Sequence, residues 1–248
     1  MSLENSTRPT PARAATRSAF FLYLALAFLA VAITGFSTTF FMPLARGTFS
    51  APPIVHVHGA LLFGWLIFFI AQATFVKYKS LSVHRTLGWI GLALSVAIVI
   101  SGVAVGDFAA RRDLAASGES WPFGNFVNIV IEMMLFGALV FAAIWTRRRP
   151  EFHKRFLVLA TISALGPAWF RFRHFMPFVP NPIVTFSLVA DAVWLVAMAR
   201  DWLVLKRIHP VYIWAGGAMF TIHAAELAFV DSQLWTNVGR WLLQAGAV

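Results

Sequence analysis

The chain has 248 residues, of which 59% are hydrophobic and 12% charged, with a mean hydropathy of +0.74; a soluble domain carries roughly 25% charged residues, so a water-soluble fold is excluded. The 25 Phe and 10 Trp exclude a disordered chain, and the absence of cysteine excludes a disulfide scaffold and thiolate metal sites. In a membrane chain most of the formal charge of +10 is expected to be topological charge at the cytoplasmic face, so nucleic acid is not expected as a partner and the lipid bilayer is.

A helix needs about 20 mainly apolar residues to cross a hydrocarbon core about 30 Å thick, and seven such stretches are predicted. A flexible basic arm over residues 1–17 precedes the first, 18–42, which is too long for a signal peptide and lacks a small-residue cleavage site, so it reads as a retained helix. The second, 54–76, follows Pro52-Pro53, and the third covers 84–106. Residues 107–122 mix both charge signs with Gly and Ser and read as the main external loop. Spans at 124–145, 153–174, 183–205 and 209–230 follow, and residues 233–248 form a short amphipathic tail.

The expected fold is all-α, a polytopic membrane bundle of seven helices in one domain over 18–232. Lys and Arg number 14 on the side of the N-terminus and 6 on the other, which places the N-terminus in the cytoplasm and the C-terminus outside a plasma or inner membrane. Gly35, Gly59, Gly64, Gly88, Gly91, Gly137, Gly216 and Gly217 would allow close helix contact. Trp89, Trp145, Trp202, Trp214, Trp235 and Trp241 read as interfacial belt or core.

Ionisable side chains inside spans are costly and face the bundle interior or a wet cavity, which makes them candidates for function. Glu132 and Asp191 lie roughly 4 and 5 Å outside the midpoints of their spans, and Glu226 roughly 10 Å outside, with His223 one turn inward from it. His223 and Glu226, three apart, share one helix face. Asn125, Asn128 and Glu132, at intervals of three and four, draw a polar stripe from the outer surface down to the carboxylate.

His56 and His58 stand near the outer start of the second span. They point the same way if the segment is extended, whereas only one faces inward if it is helical. Arg171, Arg173 and His174, at the outer end of the fifth span, could neutralise a carboxylate or hold an anionic ligand. Structural hydrogen bonding between helices is the alternative for each of these residues.

A second set, His84, His153 and His209, begins the inner ends of the odd-numbered spans after the first. Shared depth suits a metal or haem. The alternative is an interfacial role beside Arg, Lys or Pro, as helix-start caps and headgroup contacts.

These residues carry a resemblance. The starts at His56/His58, at His84-Arg85 with Leu87 and Gly88, at His153-Lys154-Arg155-Phe156, and at His209-Pro210 with Tyr212, Trp214 and Gly216 resemble a group of bacterial multi-pass membrane proteins of unknown function. The second and third spans are similar in pattern to transmembrane di-haem cytochromes b, which implies haem b and electron transfer. The seven-span layout also looks like membrane zinc hydrolases, whose last span carries H-x-x-x-H where this one reads H-x-x-E.

Four functions are therefore expected as alternatives. The first is a divalent zinc, iron or manganese site drawn from His56, His58, Glu132, Asp191, His223 and Glu226. The others are haem-mediated electron transfer with a redox partner, proton-coupled transport of a small molecule, and hydrolysis by metal-activated water.

Overall fold

The structure, a computed structural model, describes residues 11–246, with side chains from residue 19 onward. Its helices in chain order are α1 (Pro11–Phe36), α2 (Met42–Ala45), α3 (Pro53–Lys77), α4 (Leu81–Ser117), α5 (Trp121–Trp145), α6 (Pro150–Ala164), α7 (Gly166–Phe170), α8 (Pro182–Leu205), α9 (Pro210–Phe229) and α10 (Gln233–Ala245). A π-helical turn at Ser37–Phe41 joins α1 to α2, and a 3-10 turn at Arg171–His174 follows α7. Among the described residues there is no strand.

Five stretches are long and apolar enough to cross a membrane: Ala19–Ala45, Pro53–Lys77, Leu81–Ser117, Trp121–Trp145 and Pro182–Leu205. A sixth appears if α9 and α10, bent by 98°, are taken as one span. The architecture is thus an all-helical bundle compatible with a membrane.

Three expectations need correction. The predicted fifth span is broken: α6 has 15 residues, about 22 Å of helix, and ends before Gly166-Pro167. Pro167 lacks an N–H and its ring crowds the carbonyl four residues back, so α7 starts as a separate short helix. The predicted external loop is mostly helix, because α4 continues to Ser117 through an alanine-rich stretch in which Arg111 pairs with Asp107 one turn back. The chain turns only at Gly118, whose φ of 68° is left-handed. Finally, part of the expected N-terminal arm is helical, since α1 begins at Pro11; residues 1–10 lie outside the described residues.

The core lies where α5 meets α4, α6 and α9. Phe136, Ile98, Val158, Leu159 and Met219 are fully buried, and Trp65 packs edge-on against Phe136 while its indole N–H donates to the Thr161 hydroxyl at 3.2 Å. Trp89, Trp145, Trp202, Trp214 and Trp241 are exposed, as a lipid-facing belt would be. Of the glycines expected at close contacts, Gly35 lies against the Ala168 backbone, Gly91 against Phe68, Gly216 against Trp194 and Gly137 against Val99. Gly59, Gly64, Gly88 and Gly217 face open space.

Gly124, near the start of α5, touches the Val230 carbonyl at the end of α9 so closely that a Cβ would overlap it. Gly124→Ala is expected to lower stability by about 1–3 kcal/mol, and Gly217→Ala to leave it unchanged. Unfolding curves in detergent compare the two; equal effects would contradict the close approach.

At the opposite end, a charged network ties α6 to α8. Arg155 is fully buried and donates from Nε and Nη2 to the two oxygens of fully buried Asp201, at 2.7 and 2.8 Å. Its Nη1 reaches Glu151, its guanidinium faces the Tyr212 ring of α9, and Arg200 adds a contact to Asp201 at 3.0 Å. Burial acts to raise the Glu151 carboxyl, but hydrogen bonds from Arg155 and Lys154 prevail and hold it at about 2, below its ordinary 4.5. A depressed folded value stabilises the protein above the unfolded value and loses that contribution as pH falls through about 2. Glu151→Gln should therefore lower the melting temperature at neutral pH, with the gap closing in strong acid; a gap constant with pH would contradict it.

Candidate functional site

His223, on α9, stands between two carboxylates from different helices. Its Nδ1 lies 2.7 Å from Asp191 Oδ1 of α8, and its Nε2 lies 3.0 Å from Glu132 Oε1 of α5. Asp191 is 6% exposed and His223 13%, while Glu132 retains 23%. Glu226, one turn further along α9, lies against Glu132 within reach of a shared proton. Four ionisable groups from three helices thus meet inside the bundle, in the half where α9 finishes and α5 starts. Two constraints create the meeting: Glu132 and Glu226 are the lone charges of apolar α5 and α9, and Asp191 lies in an apolar stretch of α8 well before Arg200, so each turns away from lipid, while the three-residue spacing keeps His223 and Glu226 on one face.

The contacts are unevenly satisfied. The Asp191 contact is a hydrogen bond, whereas the Glu132 contact is an ion-pair distance lying off the N–H direction. Seven buried side-chain atoms among the described residues lack a hydrogen-bond partner, and three are here: His223 Nε2, Glu132 Oε2 and Glu226 Oε1. Orphaned buried polar atoms are rare in folded proteins and mark strain, catalysis or a missing occupant. Glu132 and Asp191 pair with His223 and with no Lys or Arg among the described residues.

The polar stripe is closed at its middle. Asn128 accepts a hydrogen bond from the Trp235 indole N–H at 2.7 Å and donates to the Glu226 carbonyl at 3.4 Å, so α10 is latched to α5 and α9 over the outer part of the stripe. Asn125 is half-buried and makes no hydrogen bond among the described residues. Sequence reasoning placed Trp235 in the interfacial belt or core and missed this latch. Its available signal was the high amphipathicity of the last 16 residues next to a Ser232 cap, which donates nothing but accepts from the Trp235 N–H at 3.2 Å.

The remaining candidates lie apart. The α3 helix begins at Pro53, so the two outer histidines diverge. His58 turns inward to the Ser101 hydroxyl at 2.9 Å, and His56 sits among the rings of Phe40 and Phe49. Neither joins the His223 group. Arg171 donates to the Thr39 hydroxyl and the Pro167 carbonyl and covers the Phe36 ring at 4.1 Å. Arg173 donates to the Phe170 carbonyl and lies over the Phe170 ring, and His174 is exposed. Among the described residues no hydrogen bond or ion pair joins these three to Glu132, Asp191 or Glu226.

At the other end, His209 caps α9 by accepting from the Val211 N–H at 3.3 Å and packs against Phe152. His84 and His153 instead face one another, with ring centres 6.2 Å apart. Among the described residues no three His, Asp or Glu side chains are arranged to hold a metal ion. One apolar crevice lined by Ala32, Phe36, Leu62 and Ala168 lies between α1, α3 and α7, and its lining carries no titratable group.

Set against known protein families, curated proteins and solved structures, the chain finds no match.

Proposed function

We propose that the chain is an integral membrane protein that takes up and releases protons at the His223, Asp191, Glu132 and Glu226 cluster, and couples this to transport of a small molecule. One observation carries the reading. Three carboxylates face a single imidazole, so even with His223 as imidazolium the fully ionised cluster has a net charge of −2. Such a charge is very costly in an apolar interior. Two protons restore neutrality, and so does one divalent cation on a neutral imidazole with one carboxyl protonated.

Protons are favoured because both His223 nitrogens already address carboxylates and Glu226 is placed to share a proton with Glu132. Asn128 and Trp235 gate the path to the cluster from the side of α10. A divalent zinc, iron or manganese ion is the second reading, favoured by Asp191 holding His223 Nδ1 as an outer-shell carboxylate orients a metal-bound imidazole. Elemental analysis separates the two: about one equivalent of metal, lost in Glu226→Gln, supports the cation.

Seven crossings complete the proposal, with α6 and α7 together forming the broken fifth and α9 the seventh. The excess of Lys and Arg puts the N-terminus in the cytoplasm of a cell membrane. The test is proton entry into proteoliposomes under an imposed pH gradient, read with an entrapped pH dye. Flux above that of protein-free vesicles, lost in Glu132→Gln, is the expected result; flux indifferent to Glu132→Gln contradicts the reading.

A further inference from the structure

Three of the four remaining orphaned atoms belong to two neighbouring residues at the far end of the bundle. They are both polar atoms of the Gln72 carboxamide, in α3, and Nδ1 of His84, in the first turn of α4. The His84 ring lies against the Gln72 backbone, and Gln72 is only 8% exposed, so the carboxamide is sealed inside without a partner. An amide left unpaired in such surroundings costs several kcal/mol on transfer scales. Something that the protein itself does not supply is expected to satisfy it.

The third participant is His153, in the first turn of α6. Its Nδ1–H donates to the Ala143 carbonyl at 2.8 Å, which fixes the tautomer and leaves Nε2 with its lone pair free. A backbone carbonyl on one ring nitrogen is the usual support for an imidazole whose other nitrogen binds a metal. His84 and His153 stand 6.2 Å apart between ring centres, with planes at 85°. Metal–imidazole bonds of about 2.0–2.1 Å put two ring centres about 5–6 Å apart across one ion.

We propose that His84, His153 and the Gln72 carboxamide oxygen form a divalent transition-metal site at the end of the bundle where α4 and α6 begin, separate from the His223 cluster. Two neutral imidazoles and one amide oxygen make a borderline donor set that suits nickel, copper or zinc and disfavours magnesium or calcium. Three helices contribute one ligand each, so the ion would also clamp α3, α4 and α6 together.

Copper(II) alone, titrated into the detergent-purified full-length chain, tests this. One equivalent should bind and give an electron paramagnetic resonance signal with nitrogen coupling from two imidazoles. His84→Ala and His153→Ala should each weaken binding about tenfold or more, Gln72→Leu should weaken it less, and His174→Ala, at an exposed imidazole away from both clusters, should leave it unchanged. Counting imidazoles on the wild-type protein keeps the test decisive if a variant misfolds. Absence of saturable binding, coupling to a single imidazole, or an undiminished signal in the folded His84 and His153 variants would overturn the site. None of these outcomes depends on whether the His223 cluster moves protons.

Discussion

Asp201→Ala should cost about 3–5 kcal/mol of unfolding free energy, the usual penalty for leaving one member of a buried ion pair uncompensated. Arg155 and Asp201 are both fully buried, and the guanidinium also touches Tyr212 of α9 and Glu151 of its own helix. Removing the carboxylate leaves Arg155 with only the half-exposed Glu151 as a counter-charge. The double replacement Arg155→Met with Asp201→Leu should recover much of the loss, because buried pairs are often no more stabilising than apolar side chains of the same volume. Denaturant unfolding in detergent, run as a double-mutant cycle, reads both values. If Asp201→Ala unfolds like the wild type, the network does not hold α6, α8 and α9 together.

The second large effect is expected at His223. His223→Gln removes the group that links Asp191 to Glu132, so proton entry into proteoliposomes should fall about 10²-fold or more, the scale of losing one positioned acid–base group. Asp191→Asn should fall less, because it keeps an acceptor on Nδ1 while losing the charge. Glu119→Gln, on the exposed turn before α5, is the control and should leave flux unchanged. Helical content by circular dichroism shows whether each variant is folded. Equal flux for His223→Gln and wild type would remove His223 from the path.

The sequence made the ionisable cluster readable because an apolar helix can hide only a few charges, and depth counted from helix ends locates them. Depth together with the spacing along the helices singles out Glu132, Asp191, Glu226 and His223, and the structure brings them together. Asp201 escaped notice for the opposite reason. It lies beside Arg200 near a helix end, where charges ordinarily face water, and only the tertiary approach of Arg155 shows that it is buried. Arg155 itself was counted as topological charge.

The break in the fifth span was marked by Gly166-Pro167, but hydropathy passes through glycine and proline without a signal. The extension of α4 was hidden by its mixed charges, which suggest a loop until the spacing of Asp107 and Arg111 is read as one helical turn. Arg171 and Arg173, at the outer end of the predicted fifth span, are expected to neutralise a carboxylate or hold an anion, yet their helix ends short of them and the guanidinium groups are satisfied by carbonyls and rings. Depth alone does not state which neighbour a side chain faces.

The most direct test of the account is infrared spectroscopy of the purified, metal-free protein near neutral pH. A carboxyl C=O band from a protonated acid, diminished in Glu226→Gln or Glu132→Gln, is the predicted result, since the cluster must hold protons when no cation is present. A spectrum in which every buried carboxyl group is ionised would contradict it.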